Sequence, residues 1–113
     1  IRRIDRATLA AWRGDSARTT FVLDVRTPQE YAAGHLPGSI SAEGGQLVQA
    51  ADRWVGVRGA RLVLVDDTGT RAMMTGHWLK QMGWDVVVLD RALDGQPLET
   101  GSAEAAMPLP IIR

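Results

Sequence analysis

Two adjacent carboxylates follow an apolar run in "RLVLVDDTGTR", and a Thr/Gly turn and an arginine come directly after them. An aspartate at the end of a strand, facing a glycine-containing turn, can act as a nucleophile, a base or a metal ligand. It can also do no chemistry and cap the helix that follows, with its carboxylate accepting the loop amides. A turn that leaves a strand and enters a helix gathers several backbone N–H groups, with the positive helix end behind them, and so forms an anion cradle. Gly69, Thr70 and Arg71 are the residues that would hold an anion there. Asp66 is the residue that would fill the cradle from within, and capping is the reading favoured for it. For Arg71 an ion pair with Asp66 or Asp67 is favoured over an anion.

The other reactive side chains offer less. The chain contains no cysteine, so thiol nucleophiles, thiolate metal sites, disulfides and persulfides are excluded. His35 follows a glycine and precedes "LPGS", where a turn-stabilising hydrogen bond is expected rather than catalysis. His77 lies on a helix face turned away from the sheet. Two isolated histidines without a shared spacing make no metal site, and nothing in the sequence calls for a cofactor. No serine stands in a Gly-x-Ser-x-Gly elbow. Trp12, Trp54, Trp78 and Trp84 are expected to pack at the core and its rim, and Met73 and Met74 to fill gaps.

These residues need a scaffold, and the composition bounds it. The 113 residues suit one domain; 45% are apolar and 23% charged, which is the globular range. Net charge is zero, and Lys80 is the one lysine among the basic residues. No footprint for nucleic acid or for an anionic membrane is visible. Apolar runs are too short for a membrane span and nothing resembles a signal peptide, so a cytoplasmic protein is expected. The start on Ile1 and the end on "MPLPIIR" suggest a single domain, 1–113, cut from a longer multi-domain protein.

The pattern then alternates. Asp5 caps a short helix that Gly14 closes. "TFVLDV" (20–25) is a buried strand. Thr27, Pro28 and Glu30 make a capping box with proline in the first turn, and Gly34 ends that helix. "SIS" is a short strand, and "GGQLVQAADRWVG" a further helix with Leu47, Ala51, Trp54 and Val55 on one face. "RLVLV" (61–65) is a second buried strand. Residues 70–82 form a helix with Ala72, Thr75, Gly76, Leu79 and Met82 inward and Gly83 as its stop. "DVVVLD" (85–90) is a third apolar strand. Strands alternating with helices predict an α/β parallel sheet with helices on both faces, and ligands collect at the strands' carboxyl ends. Asp66 lies at one of those ends.

Two resemblances follow from quoted residues. "DDTGT" resembles the phosphorylated-aspartate motif of the haloacid-dehalogenase superfamily. That resemblance implies a metal-dependent phosphoryl-transfer enzyme built on Asp66, yet it needs a lysine at the phosphoryl group and further acidic ligands that do not follow.

"LDVRTPQEYAAGHLPGSI" (23–40) resembles the N-terminal signature of rhodanese-homology domains, the sulfurtransferase family. Tyr31, His35, Leu36, Pro37 and Gly38 match it, with Ser39 where the family usually has Ala. "GHWLKQMGW", "VVVLD" and "GQPLETG" are similar to the segments that follow in the family. The resemblance implies a three-layer fold with about five parallel strands, and structural roles for Asp24, Arg26, His35, Pro37 and Gly38. Active members have a Cys, four variable residues and Arg in the loop, and the Cys carries a persulfide. Here the same spacing reads Asp66, Asp67, Thr68, Gly69, Thr70, Arg71, so Asp66 stands in the cysteine's place. A carboxylate cannot hold a sulfane sulfur as a persulfide, and its charge repels thiosulfate. A further departure is the short "RALDGQ" after Asp90. The expected function is a catalytically inactive structural or regulatory module of a multi-rhodanese protein. Its partners would be other rhodanese-like domains of the same polypeptide or another protein. An oxyanion sensor built on the 66–71 loop is the remaining alternative, and it needs Asp66 turned out of the cradle.

Overall fold

The computed structural model describes residues 2–15, 17–44, 60–93 and 98–101. The elements run β1 (Arg3–Ile4), α1 (Arg6–Arg13), β2 (Thr20–Asp24), α2 (Pro28–Ala33), β3 (Ile40–Ser41), β4 (Arg61–Val65), α3 (Thr70–Gln81) and β5 (Asp85–Leu89). The strands form one five-stranded sheet in the order β1-β5-β4-β2-β3, and every pairing is parallel. Helices of the described chain pack on both faces, as the alternating pattern predicts.

The central strand shows why. Every residue of β4 is buried, and a strand covered on both sides reads as an unbroken apolar run rather than an alternating one. Leu62 and Leu64 point to the layer holding Ala72 and Leu79 of α3. Val63 and Val65 point to the opposite layer, with Leu9 of α1 and Leu36. Because all strands run the same way, the ends of β2 and β4 and the loops that leave them open on one rim. The capping aspartates of the sequence reading lie on that rim.

The boundaries moved only slightly: β2 ends at Asp24, β5 at Leu89 and α3 at Gln81. β1 has no counterpart in the sequence reading. It is two residues long, with Arg3 exposed and Ile4 buried, too short for any periodicity to register. It pairs with β5 through Arg3↔Val88 and Ile4↔Leu89. The helix expected within 44–56, with Trp54, falls almost wholly outside the described residues.

Three expectations about α3 fail. Met74, expected to fill a gap, is 62% exposed, Trp78 56% and Met82 52%; of the two adjacent methionines only Met73 packs on the core. Met82 lies at the margin of the arc defined by Ala72, Thr75, Gly76 and Leu79, one residue past the last helical turn. Trp78 lies on the outward side, between Met74 and Met82. Trp12 fits its expectation better: it is half-buried, with the guanidinium of Arg61 4.5 Å from the ring centroid. No helix among the described residues is long and apolar enough to cross a membrane.

The His-Leu-Pro-Gly turn braces the α2 side. The ring of His35 stacks on Tyr31, with centroids 3.8 Å apart and planes within 3°. His35 Nδ1 lies 2.7 Å from the Tyr31 carbonyl; a carbonyl can only accept, so Nδ1 carries the proton. Pro37 offers its carbonyl to Arg13 Nη2 at 3.0 Å, and Gly38 has φ +82, a conformation that favours glycine. Tyr31 is fully buried, and its hydroxyl donates to the Ser39 carbonyl at 2.7 Å. Tyr31→Phe leaves that carbonyl buried without its partner, so urea unfolding should show a loss of about 1–3 kcal/mol. A loss indistinguishable from zero would mean that water replaces the hydroxyl.

Candidate functional site

The loop between β4 and α3 is built around its first residue. The Asp66 side chain is wholly buried. Its Oδ1 accepts the Asp67 N–H at 2.8 Å and Arg71 Nε at 3.2 Å, and its Oδ2 accepts the Ala72 N–H at 3.1 Å. Ala72 is the third residue of α3, so Asp66 satisfies one of the helix's unpaired first-turn amides from outside the helix. The residue that directly precedes α3, Gly69, has φ +89 and no side chain with which to cap. The carboxylate therefore occupies the focus where an external anion would sit.

Arg71 is equally committed. Its Nη1 donates to Glu30 Oε1 at 2.7 Å, and its Nη2 to Glu30 Oε2 at 3.2 Å and to Asp67 Oδ1 at 3.0 Å. Nη2 also lies 3.1 Å from Asp66 Oδ1. Glu30, Asp66 and Asp67 thus surround one guanidinium, and the pairing expected for Arg71 is present with a third partner that sequence reasoning missed. Thr68 and Thr70 close the turn locally: the Thr68 N–H donates to Asp67 Oδ1 at 2.7 Å and the Thr70 N–H to Thr68 Oγ1 at 3.4 Å.

Glu30 is the missed residue, and a signal for it existed. As the third residue of α2 it completes the capping box with Thr27, and its Oε1 accepts the Thr27 N–H at 3.0 Å. A capping box turns this carboxylate back toward the strand end it leaves, which here is the rim that carries Arg71. A second arginine also borders the loop: a Cβ built on Gly69 would meet Arg3 Nη1 at 3.7 Å. Arg3 is itself paired with Asp90 at 3.4 Å.

The electrostatics follow from this packing. Arg71 holds Glu30 down at about 2, with the Thr27 N–H assisting and partial burial opposing. Arg71 and the Thr68 N–H hold the Asp67 carboxyl below its ordinary value. Glu30 raises the guanidinium of Arg71 still further above its ordinary value. A carboxylate depressed in the folded state contributes stability that is present above its unfolded value and is lost as pH falls through its folded value. For Glu30 that window runs from 4.5 down to about 2. Stability measured between pH 5 and 2 should therefore fall, and Glu30→Gln should flatten part of that fall. Equal slopes in both proteins would place the acid sensitivity elsewhere. The pair is partly exposed, and solvent screening keeps its contribution small.

The remaining candidates lie apart from the loop. Asp24 and Arg26 form a buried ion pair, with Arg26 Nη2 2.8 Å from Asp24 Oδ2, and Arg26 Nη2 also donates to the Gly34 carbonyl at 2.7 Å. His35 faces Tyr31, and His77 is exposed beside Gln81. Lys80 is exposed in the last turn of α3, about 15 Å along the helix from Thr70, too far to hold a phosphoryl group on Asp66. Among the described residues, no group of three or more His, Asp or Glu is arranged to hold a metal ion. The arrangement can hold its own arginine and cap its own helix.

Known proteins carry the same frame. The family model for the rhodanese-like domain matches residues 5–95. A thiosulfate sulfurtransferase of Pseudomonas aeruginosa is 56% identical with a TM-score of 0.88; the match covers 98% of this chain and 21% of that one. The chain thus spans about a fifth of the length of that protein. A rhodanese-like domain protein of Staphylococcus aureus has a TM-score of 0.73 at 21% identity, over 90% of this chain and all of that one. A rhodanese from E. coli, solved with anions, has 0.65 at 20% identity, over 74% of this chain and all of that one. At that identity the last two speak for the fold alone. No curated protein matches the sequence. With a family match over most of its length, a five-stranded parallel sheet wrapped by helices, and no cysteine, the chain belongs to the rhodanese-like domain family and lacks the residue type that forms a persulfide there.

Proposed function

We propose that this domain is catalytically silent and serves as a structural or regulatory module of a larger, sulfurtransferase-like protein. One observation carries the reading: the loop's own carboxylate, Asp66, sits buried on the amides and the arginine that an anionic sulfur donor would need. In this reading Asp66 stands where active members of the family hold their cysteine, and Arg71 keeps the place of their loop arginine. Three carboxylates around one guanidinium leave the loop negative, so thiosulfate meets repulsion instead of a cradle. The partners are other modules of the same polypeptide, in keeping with a 56%-identical segment that makes up 21% of the Pseudomonas aeruginosa sulfurtransferase.

The test is anion binding. Titration of the 113-residue chain with thiosulfate, and separately with phosphate, should leave the amide resonances of residues 66–72 unmoved at millimolar concentration. Saturable shifts at Asp67, Arg71 and Ala72 would overturn the reading in favour of an oxyanion sensor. Mg²⁺ with phosphate, compared between this chain and Asp66→Asn, tests the phosphoryl-transfer alternative; binding that depends on Asp66 would establish that alternative.

A further inference from the structure

On α3, Met74, Trp78 and Met82 follow one another at four-residue steps and are 62%, 56% and 52% exposed. They form a single outward stripe beginning one turn beyond the candidate loop. Lone exposed apolar residues are ordinary, whereas three large ones in a row mark a contact surface. The composition fits one: tryptophan and methionine are enriched where proteins dock. His77 and Gln81 bond each other beside the stripe, and the ion cluster of Arg71 with Glu30, Asp66 and Asp67 stands at its N-terminal end. The three side chains of the stripe are themselves uncharged, and the arginine at its end is already paired, so the contact they offer is apolar.

We propose that this stripe is an intramolecular seam, covered by an apolar face of a neighbouring module in the same polypeptide. The inference rests on the multi-module reading above and adds to it the surface through which the modules meet. Area selects this occupant over a second copy of the chain. The three side chains expose on the order of a few hundred Å², well below the roughly 800 Å² per partner of a stable complex between free proteins. A patch of that size holds a partner only when the partner is tethered, because covalent linkage supplies a local concentration on the order of millimolar. A domain that recurs, at 56% identity, as 21% of a longer chain is placed to have such a neighbour.

Methionine oxidation by dilute peroxide, read by peptide mass spectrometry, tests the seam. It is run on the 113-residue chain and on the longer polypeptide in which the chain is continuous with its neighbours. Met73, half-buried against the core, is the internal reference. Met74 and Met82 should oxidise readily in the 113-residue chain and about tenfold more slowly in the longer polypeptide. Trp78→Glu in the longer polypeptide should restore the fast rate at both while leaving Met73 slow. Trp78→Ser gives the same reading if the charged variant proves unstable. Equal rates in the two proteins would overturn the seam, as would a reading frame holding no further module. Protection that grows with the concentration of the 113-residue chain would also overturn it, since a second copy would then be the occupant. Sulfur transfer by the 113-residue chain would sink the silent-module reading without moving these rates, so the two failures are distinguishable.

Discussion

Asp24→Ala should cost about 3–5 kcal/mol of unfolding free energy, a large share of the 5–15 kcal/mol that holds a typical domain together. Asp24 is fully buried at the end of β2. Its carboxylate accepts from Arg26 Nε at 3.0 and 3.2 Å, from Arg26 Nη2 at 2.8 Å and from the Arg26 N–H at 3.1 Å. Removing the carboxylate strands a buried guanidinium that keeps its hydrogen bond to the Gly34 carbonyl but loses its counter-charge. Most of the loss is thus the penalty of an uncompensated charge, and only a smaller part is the worth of the pair. It follows that the double change Asp24→Leu with Arg26→Met should recover most of what Asp24→Ala loses. Urea unfolding of the three proteins measures both effects. A loss under about 1 kcal/mol for Asp24→Ala would show that water enters and solvates Arg26.

Asp66→Cys is the second large effect, and it concerns chemistry. The substituted sulfur would replace the carboxylate at the Asp67 and Ala72 amides and beside Arg71. Helix amides and an adjacent cation lower a thiol's pKa to roughly 3.5–7.5, so the thiolate, which is the nucleophile, would prevail at neutral pH. Thiolate attack on the outer sulfur of thiosulfate breaks the S–S bond, releases sulfite and leaves a cysteine persulfide. The expected result is a protein mass increased by one sulfur atom after thiosulfate, reversed by cyanide as it takes the sulfur to thiocyanate. Loading should be slow, because Glu30 and Asp67 still bind Arg71; Glu30→Gln in the same protein should quicken it by freeing the guanidinium. No sulfur gain in either protein would mean that the six-residue loop lacks the geometry as well as the nucleophile.

Much of this scaffold is legible in the sequence because the signals are local. The capping box of Thr27, Pro28 and Glu30, the continuous run of β4 and the glycine after α3 each identify an element within a few residues. The loop is partly legible: a carboxylate between a strand and a helix finds amides, and Asp66 does so. What stayed hidden is non-local. Glu30 lies 41 residues from Arg71, and no spacing rule links a capping glutamate on α2 to an arginine on α3. Arg3 comes beside Gly69 through the pairing of β1 with β5, and a two-residue strand carries no period. Met74, Trp78 and Met82 are misplaced by a rule that puts apolar residues inside, because more than half of a folded surface is still apolar.

Sulfur transfer from thiosulfate to cyanide, measured on the 113-residue chain at neutral pH, tests the central claim most directly. A silent loop predicts thiocyanate formation no faster than in buffer, unchanged by Asp66→Asn. Turnover above buffer that disappears in Asp66→Asn would contradict it and return Asp66 to the role of an active group.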